Sequence, residues 1–325
     1  MGRQITRREF IGSTATAAAA LTVLPRGLFG QDQIKPNSNF NGVQIGAITY
    51  SWRSMPGTAD DILKYILQCR LSSVELMGGP AEEFAGIPTF ERIRAPRGAD
   101  VTEEQRAQYQ TARQAQTDQV RQWRESVPMD RYRALRKKYN DAGVNIHIVK
   151  FDNIGGSMTG PEIDYCFNVA RALGANGITT ELSEETARIL GPYADKHEIM
   201  IGFHNHTRIN SGSWETPFSY GKYLGMNFDV GHYVAGTSES PIPIIERYAE
   251  EGRILSLHLK DRKVNNGPNM PFGQGDTPLG LILQLMKRKK YTFPADIELE
   301  YRIPEGSDAV AEVKNCVEYC KEALG

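Results

Sequence analysis

Cysteine is scarce in this chain. Cys69, Cys166, Cys316 and Cys320 are the only four in 325 residues, and no two fall at Cys-x-x-Cys spacing. This removes thiolate zinc knuckles and dithiol redox motifs, and the four read as buried free thiols. An excess of one charge is also missing: 38 Lys and Arg face 39 Asp and Glu, a formal net charge of −1. So balanced a surface argues against nucleic acid or an anionic membrane as the main partner. No Gly-x-Gly-x-x-Gly follows an early strand pattern. Gly78-Gly79-Pro80 does not resemble one, so an open dinucleotide-binding sheet is not indicated.

Long apolar runs are lacking too. The segment 13–24 is small and apolar but too short to span a bilayer. It follows Thr6-Arg7-Arg8-Glu9-Phe10-Ile11-Gly12, and adjacent arginines ahead of such a stretch match a twin-arginine export signal. Residues 1–30 are therefore expected to be a leader, with cleavage near Gly30 and a polar linker over 31–41. The expected location is periplasmic or otherwise exported, with no membrane span in the mature chain. Export in the folded state would let a metal be loaded beforehand, and it disfavours phosphorylated substrates.

Beyond the linker, eight short apolar runs recur: 43–49, 72–76, 144–150, 177–181, 200–204, 226–230, 254–260 and 294–300. Helix-period segments such as 60–69, 161–173, 184–197, 243–250 and 279–289 alternate with them, and 308–323 closes the chain. Strands alternating with helices imply parallel βαβ units, and eight of them predict a (β/α)8 barrel over 42–325. An insertion over about 80–128 breaks the rhythm between strands 2 and 3. Its helix, 101–124, is polar all round, which suits a surface segment, a lid or a homo-oligomer contact.

Polar side chains gather where such a barrel keeps its chemistry, at the C-terminal ends of the strands. Lys150 ends strand 3 and Glu181 ends strand 4. Strand 5 runs into His204-Asn205-His206, strand 6 into Asp229-Val230-Gly231-His232, strand 7 into His258-Leu259-Lys260, and strand 8 into Glu298-Leu299-Glu300-Tyr301-Arg302. The period of two puts His258 with Lys260 on one face, and Glu298, Glu300 and Arg302 on another. Charged groups on apolar strands must be paired or ligated. Their convergence predicts one divalent metal ion held by oxygen and imidazole donors: Mn²⁺ first, with Zn²⁺, Mg²⁺, Co²⁺ or Fe²⁺ as alternatives.

These strand ends resemble those of the xylose-isomerase-like barrels, the superfamily of sugar phosphate isomerases and epimerases, over roughly residues 42–324. Phe228-Asp229-Val230-Gly231-His232, Leu257-His258-Leu259-Lys260-Asp261 and Ile297-Glu298-Leu299-Glu300 carry the likeness. The resemblance implies that Asp229, His258 and Glu298 are metal ligands. The family's fourth ligand is a strand 5 glutamate that also acts as a catalytic acid/base. His204 stands at that position here, so Glu181, one strand earlier, is taken as the replacement, with His204 or His206 as the other options. Endonuclease IV, in the same superfamily, needs more ligands and a more basic chain.

The expected chemistry is proton transfer beside a sugar carbonyl through an enediolate. His206, His232, Glu298 and Glu300 are the base candidates, and the proximity of Glu300 to Glu298 predicts mutual repulsion. Lys260 is expected either to steady the enediolate or to pair with a neighbouring carboxylate. His204, Lys150, Arg302 and Trp52 are assigned to substrate; Trp52 and Trp214 offer sugar-stacking surfaces, although an aromatic near a barrel rim more often packs. An isomerase or epimerase acting on an unphosphorylated sugar is ranked first. A 3-keto-glycoside lyase or dehydratase comes next, and a non-catalytic exported sugar-binding barrel last.

Overall fold

A computed structural model describes residues 35–325 apart from 92, 97, 99 and 100. The expected leader and the start of the expected linker lie outside these residues. Eight parallel strands stand among the described residues: β1 (Val43–Ile48), β2 (Ser73–Met77), β3 (Asn145–Lys150), β4 (Gly177–Glu181), β5 (Met200–His204), β6 (Leu224–Asp229), β7 (Ile254–Leu259) and β8 (Ala295–Ile297). Each pairs with the next in sequence, and β8 pairs with β1 through Ile45↔Ala295 to Ala47↔Ile297. The sheet therefore closes on itself. The fold is the expected (β/α)8 barrel.

The helices are α1 (Ala59–Gln68), α2 (Gly78–Ala85), α3 (Glu103–Ser126), α4 (Asp130–Asp141), α5 (Gly160–Leu173), α6 (Glu184–His197), α7 (Glu215–Ser219), α8 (Val230–Thr237), α9 (Ile242–Glu250), α10 (Leu279–Lys289) and α11 (Ala309–Leu324). Their starts are written in the sequence. Thr58 caps α1 by accepting from the Asp61 amide, and Thr159 with Glu162 forms a reciprocal capping box at α5. The apolar stripe of α1, Ile62, Leu63, Tyr65 and Ile66, is buried against the barrel.

Three boundaries differ from the sequence expectation. Residues 36–41 are not a free linker. Asn39–Phe40 pairs antiparallel with β1 across an Asn41-Gly42 turn at positive φ, and the buried Ser38 hydroxyl donates to the Ile45 carbonyl at 2.6 Å. Residues 36–325 form one compact unit. At the other edge, β8 ends at Ile297 rather than 300. The Ser51 hydroxyl donates to the Ile297 carbonyl and accepts from the Leu299 amide, both at 3.0 Å, in place of a ladder partner.

The stretch between β2 and β3 is the third. Helix α2 follows β2 at once, inside the span expected to be an insertion. Helix α3 buries no residue and is held on the outer ring by charge: Arg124 meets Glu82 of α2 at 2.9 Å, and Arg121 meets Glu162 of α5 at 3.1 Å. All four cysteines are buried free thiols, as expected. No helix among the described residues is long and apolar enough to cross a membrane.

Inside the barrel the packing is polar. His147 Nδ1 meets Ser73 Oγ at 2.7 Å, and its Nε2 meets Asp296 Oδ2 at 2.8 Å, all three buried. Two residues beyond Ser73 on β2 comes Glu75, and two beyond Asp296, just past the end of β8, comes Glu298. This second, higher group carries the site.

Candidate metal centre

The ends of β5, β6 and β7 and the residue just past β8 bring His204, Asp229, His258 and Glu298 together. Their ligand atoms all lie within 4.8 Å of one another, and every one of the four is buried. Asp229 is fixed twice. Its carboxylate caps α8 by accepting from the His232 amide at 2.6 Å. Its backbone is clasped by Asn205, which accepts from the Asp229 amide and donates to its carbonyl. The rings of His204 and His258 lie 4.9 Å apart.

Electrostatics set the charge state of the group. Burial holds the His204 imidazole well below its ordinary range, aided by the nearby cations and opposed by Glu298, so it is neutral. Burial also lowers His258, but Glu75 and Glu298 outweigh it and lift the imidazole to about 10. Burial raises Glu298, yet Lys260 and His258 overcome it and hold the carboxyl well below its usual range. For Asp229 burial prevails over Lys260, and its carboxyl is raised.

The residues fit a divalent ion. Two carboxylates supply two negative charges and two imidazoles supply nitrogen, a set suited to Mn²⁺ or Zn²⁺. His204 Nδ1 is buried without a hydrogen-bond partner, which would be costly unless something else binds there.

Lys260 roofs the group. Its ammonium is 3.0 Å from Asp229, 3.0 Å from Glu298 and 2.7 Å from Glu300. A cation therefore stands between the two glutamates, and the mutual repulsion expected from their spacing is offset. Lys260 also meets His232 Nε2 at 2.8 Å, while Arg262 donates to His232 Nδ1 at 2.8 Å. Burial and then Lys260 push His232 down to about 3. Asp261 pins the loop that carries Arg262 by accepting from the amides of Gly273, Gly275 and Thr277.

Glu181, the expected fourth ligand, is not in the four-residue group. Lys150 draws it aside with a 2.8 Å bond, and His206 Nε2 lies 2.8 Å from its other oxygen. Burial raises the Glu181 carboxyl, but His206 and Lys150 bring it to about 2. His204, assigned to substrate from the sequence, takes the inward place. His206 is exposed at the mouth, and its bond to Glu181 raises its pKa.

For Trp52, assigned to substrate, and for Trp214, the stacking option gives way to packing. Trp52 is 2% exposed and packs on Tyr65, and Trp214 is 0% exposed among Phe228, Tyr233 and Tyr248. Neither ring has a face free for a sugar. Arg302 lies past the end of β8 with its side chain on the surface.

Sequence reasoning missed Glu75, Asp296, Asn205, Asn227 and Arg262. Glu75 is wholly buried in the middle of β2 and bonds His258 Nε2 at 2.8 Å. The rule applied to the strand ends, that a charge on an apolar strand needs a partner, would have found it in Ser73-Val74-Glu75-Leu76.

No protein-family model matches the sequence, and neither does any curated protein. Solved structures do match its fold. The probable 3-DHS dehydratase involved in petrobactin synthesis from Bacillus anthracis is 13% identical, with a TM-score of 0.58 over 85% of this chain and 98% of that one. A xylose isomerase domain protein from Planctomyces limnophilus is 12% identical, with a TM-score of 0.56 over 88% and 98%. The 3-keto-D-glucoside 4-epimerase of E. coli is 11% identical, with a TM-score of 0.54 over 86% and 99%. The resemblance read from the strand ends thus holds for the fold. It is the barrel fold that these structures share.

Proposed function

We propose that this chain is a divalent-metal-dependent isomerase or epimerase that acts on an unphosphorylated keto sugar through an enediolate. The observation that carries the proposal is the buried group His204, Asp229, His258 and Glu298 with Lys260 and Glu300 directly over it. When bound, a divalent ion, Mn²⁺ first, supplies Lewis-acid polarisation of a carbonyl.

The side chains do the rest. Glu300 sits on the solvent side of Lys260 and takes the proton from the carbon beside the carbonyl. The Lys260 ammonium, held by three carboxylates, faces the oxygen on which charge develops. His206, whose pKa is raised by its bond to Glu181, offers a place from which a proton can return. Lys150 keeps Glu181 ionised and clear of the ligand group. The epimerase and isomerase descriptions of the fold's neighbours support this reading. The twin-arginine pattern at residues 7 and 8 supports an exported location, and with it a substrate without phosphate.

Incubating keto sugars with the Mn²⁺-loaded protein in D₂O tests the proposal. Deuterium should enter beside the carbonyl and stop entering when the metal is chelated. Tight sugar binding with no exchange would instead make the protein a sugar-binding barrel.

One observation favours a second reading, β-elimination from a 3-keto-glycoside. His206 is exposed at the mouth and kept protonated by Glu181, as a donor to a departing group would need to be. Release of an aglycone without deuterium in the recovered substrate would select that reading.

A further inference from the structure

The geometry points to Glu75 as the positioning residue that fixes which nitrogen of His258 faces the metal. The inference rests on the metal reading above and extends it to a residue with no access to substrate.

Glu75 lies in the middle of β2 with no exposed surface. Three strands hold its carboxylate. Thr179 of β4 donates to Oε1 at 2.5 Å, Asn227 of β6 donates to Oε2 at 2.8 Å, and His258 of β7 reaches the same Oε2 through Nε2 at 2.8 Å. A carboxylate in this setting can only accept. The Thr179 hydroxyl and the Asn227 amide nitrogen already donate, and the third contact is settled the same way: His258 Nε2 carries its hydrogen toward Glu75.

The consequence falls on the other nitrogen. His258 Nδ1 lies 2.9 Å from Glu298 Oε2, and Glu298 belongs to the four-residue group. With Nε2–H committed to Glu75, Nδ1 is left to bind an ion among His204, Asp229 and Glu298. A carboxylate behind a ligating imidazole fixes the ring's orientation and makes the ligating nitrogen more basic, and losing it typically costs about 10- to 100-fold in metal affinity. Glu75 cannot act as a ligand or base itself, since His258 stands between it and the other three residues. Its lone pairs are also engaged by donors from three strands.

Two measurements on the full chain test this. In the first, Mn²⁺ and Zn²⁺ are titrated calorimetrically into wild type and Glu75→Gln. Wild type should bind one ion, and the variant should bind it about 10- to 100-fold more weakly with the same stoichiometry. Equal affinities would overturn the assignment of Glu75 while leaving the metal reading intact. No binding by wild type would overturn both. The second needs no variant. With ¹⁵N-labelled histidine, the Zn²⁺-loaded protein should show the His258 proton on Nε2 and the metal-shifted resonance on Nδ1. The reverse tautomer would overturn the inference even if Glu75→Gln fails to fold.

Discussion

The Lys260 ammonium and the Glu298 carboxylate lie 3.0 Å apart, both buried, at the point where the ligand group meets the mouth of the barrel. Lys260 thus plays two parts. It neutralises buried carboxylates in the metal-free protein, and it is the cation nearest the place where charge would develop during reaction. Replacing it with methionine keeps most of the volume and removes the charge, leaving Asp229 and Glu298 without it. Breaking such a buried pair from one side costs about 3–5 kcal/mol. Lys260→Met should therefore lower the melting temperature sharply in EDTA, and Mn²⁺ should restore more of the loss than it adds to wild type. If the variant melts like wild type in EDTA, the ammonium is not the counter-ion it is taken to be.

His258 sets a pH dependence whose sign follows from its shift. Its pKa rises from an ordinary 6.5 to about 10 because Glu75 and Glu298 outweigh the cost of burial. A group raised on folding contributes stability that is fully present below 6.5 and is lost as pH climbs toward 10. The metal-free protein should lose melting temperature across that window. An ion takes the place of the Nδ1 proton, so competition weakens as pH rises and protection by Mn²⁺ should grow. Melting curves with EDTA and with Mn²⁺ at several pH values would show two lines diverging upward in pH. Parallel lines would contradict the assignment of His258 as a ligand.

Much of this site was legible because each ligand-capable residue ends an apolar strand. The resemblance of the strand ends marked Asp229 and His258 as candidates, and alternation put Lys260 on the same face as His258. Two things were hidden, for different reasons. Glu181 and His204 are side-by-side partners in the β4–β5 register, so a one-dimensional pattern offers both to the same space. Lys150 on β3 decides between them by pulling Glu181 away. Glu75 and Asp296 were hidden because their partners are far along the chain. Glu75 meets His258, 183 residues away, and Asp296 meets His147, 149 residues away. Trp52 and Trp214 show a different ambiguity. An aromatic near a barrel rim can serve as a sugar platform or pack, and here the surrounding side chains close over both rings.

Gly46 marks how tightly the polar interior is packed. A Cβ there would lie 2.1 Å from Asp296 Oδ1, whose other oxygen is held by His147. Neither side can shift cheaply, since Asp296 is paired to His147 of β3 and Gly46 is registered against Asp296 in the β1–β8 ladder. Gly46→Ala should destabilise by about 1–3 kcal/mol, as overpacked cores do. Combined with Asp296→Ala, which removes the clashing oxygen, the two changes should cost clearly less than their sum. Chemical denaturation of the two single variants and the double variant measures this. Strict additivity would mean that the two residues do not share the space.

Glu300 separates chemistry from metal binding. It lies 2.7 Å from Lys260 and outside the four-residue ligand group, whereas Glu298 belongs to that group. Changing either glutamate to glutamine removes one carboxylate from the same small volume, yet the two losses should differ in kind. Glu298→Gln should weaken Mn²⁺ binding and lose deuterium exchange together. Glu300→Gln should bind Mn²⁺ like wild type and lose exchange by about 10²- to 10⁴-fold, the usual worth of a positioned base. Calorimetry and D₂O exchange on the same preparations read the two effects separately. Should Glu300→Gln exchange at the wild-type rate, Glu300 would not be the base, and the proton would have to leave through a neighbouring group such as His206 or His232.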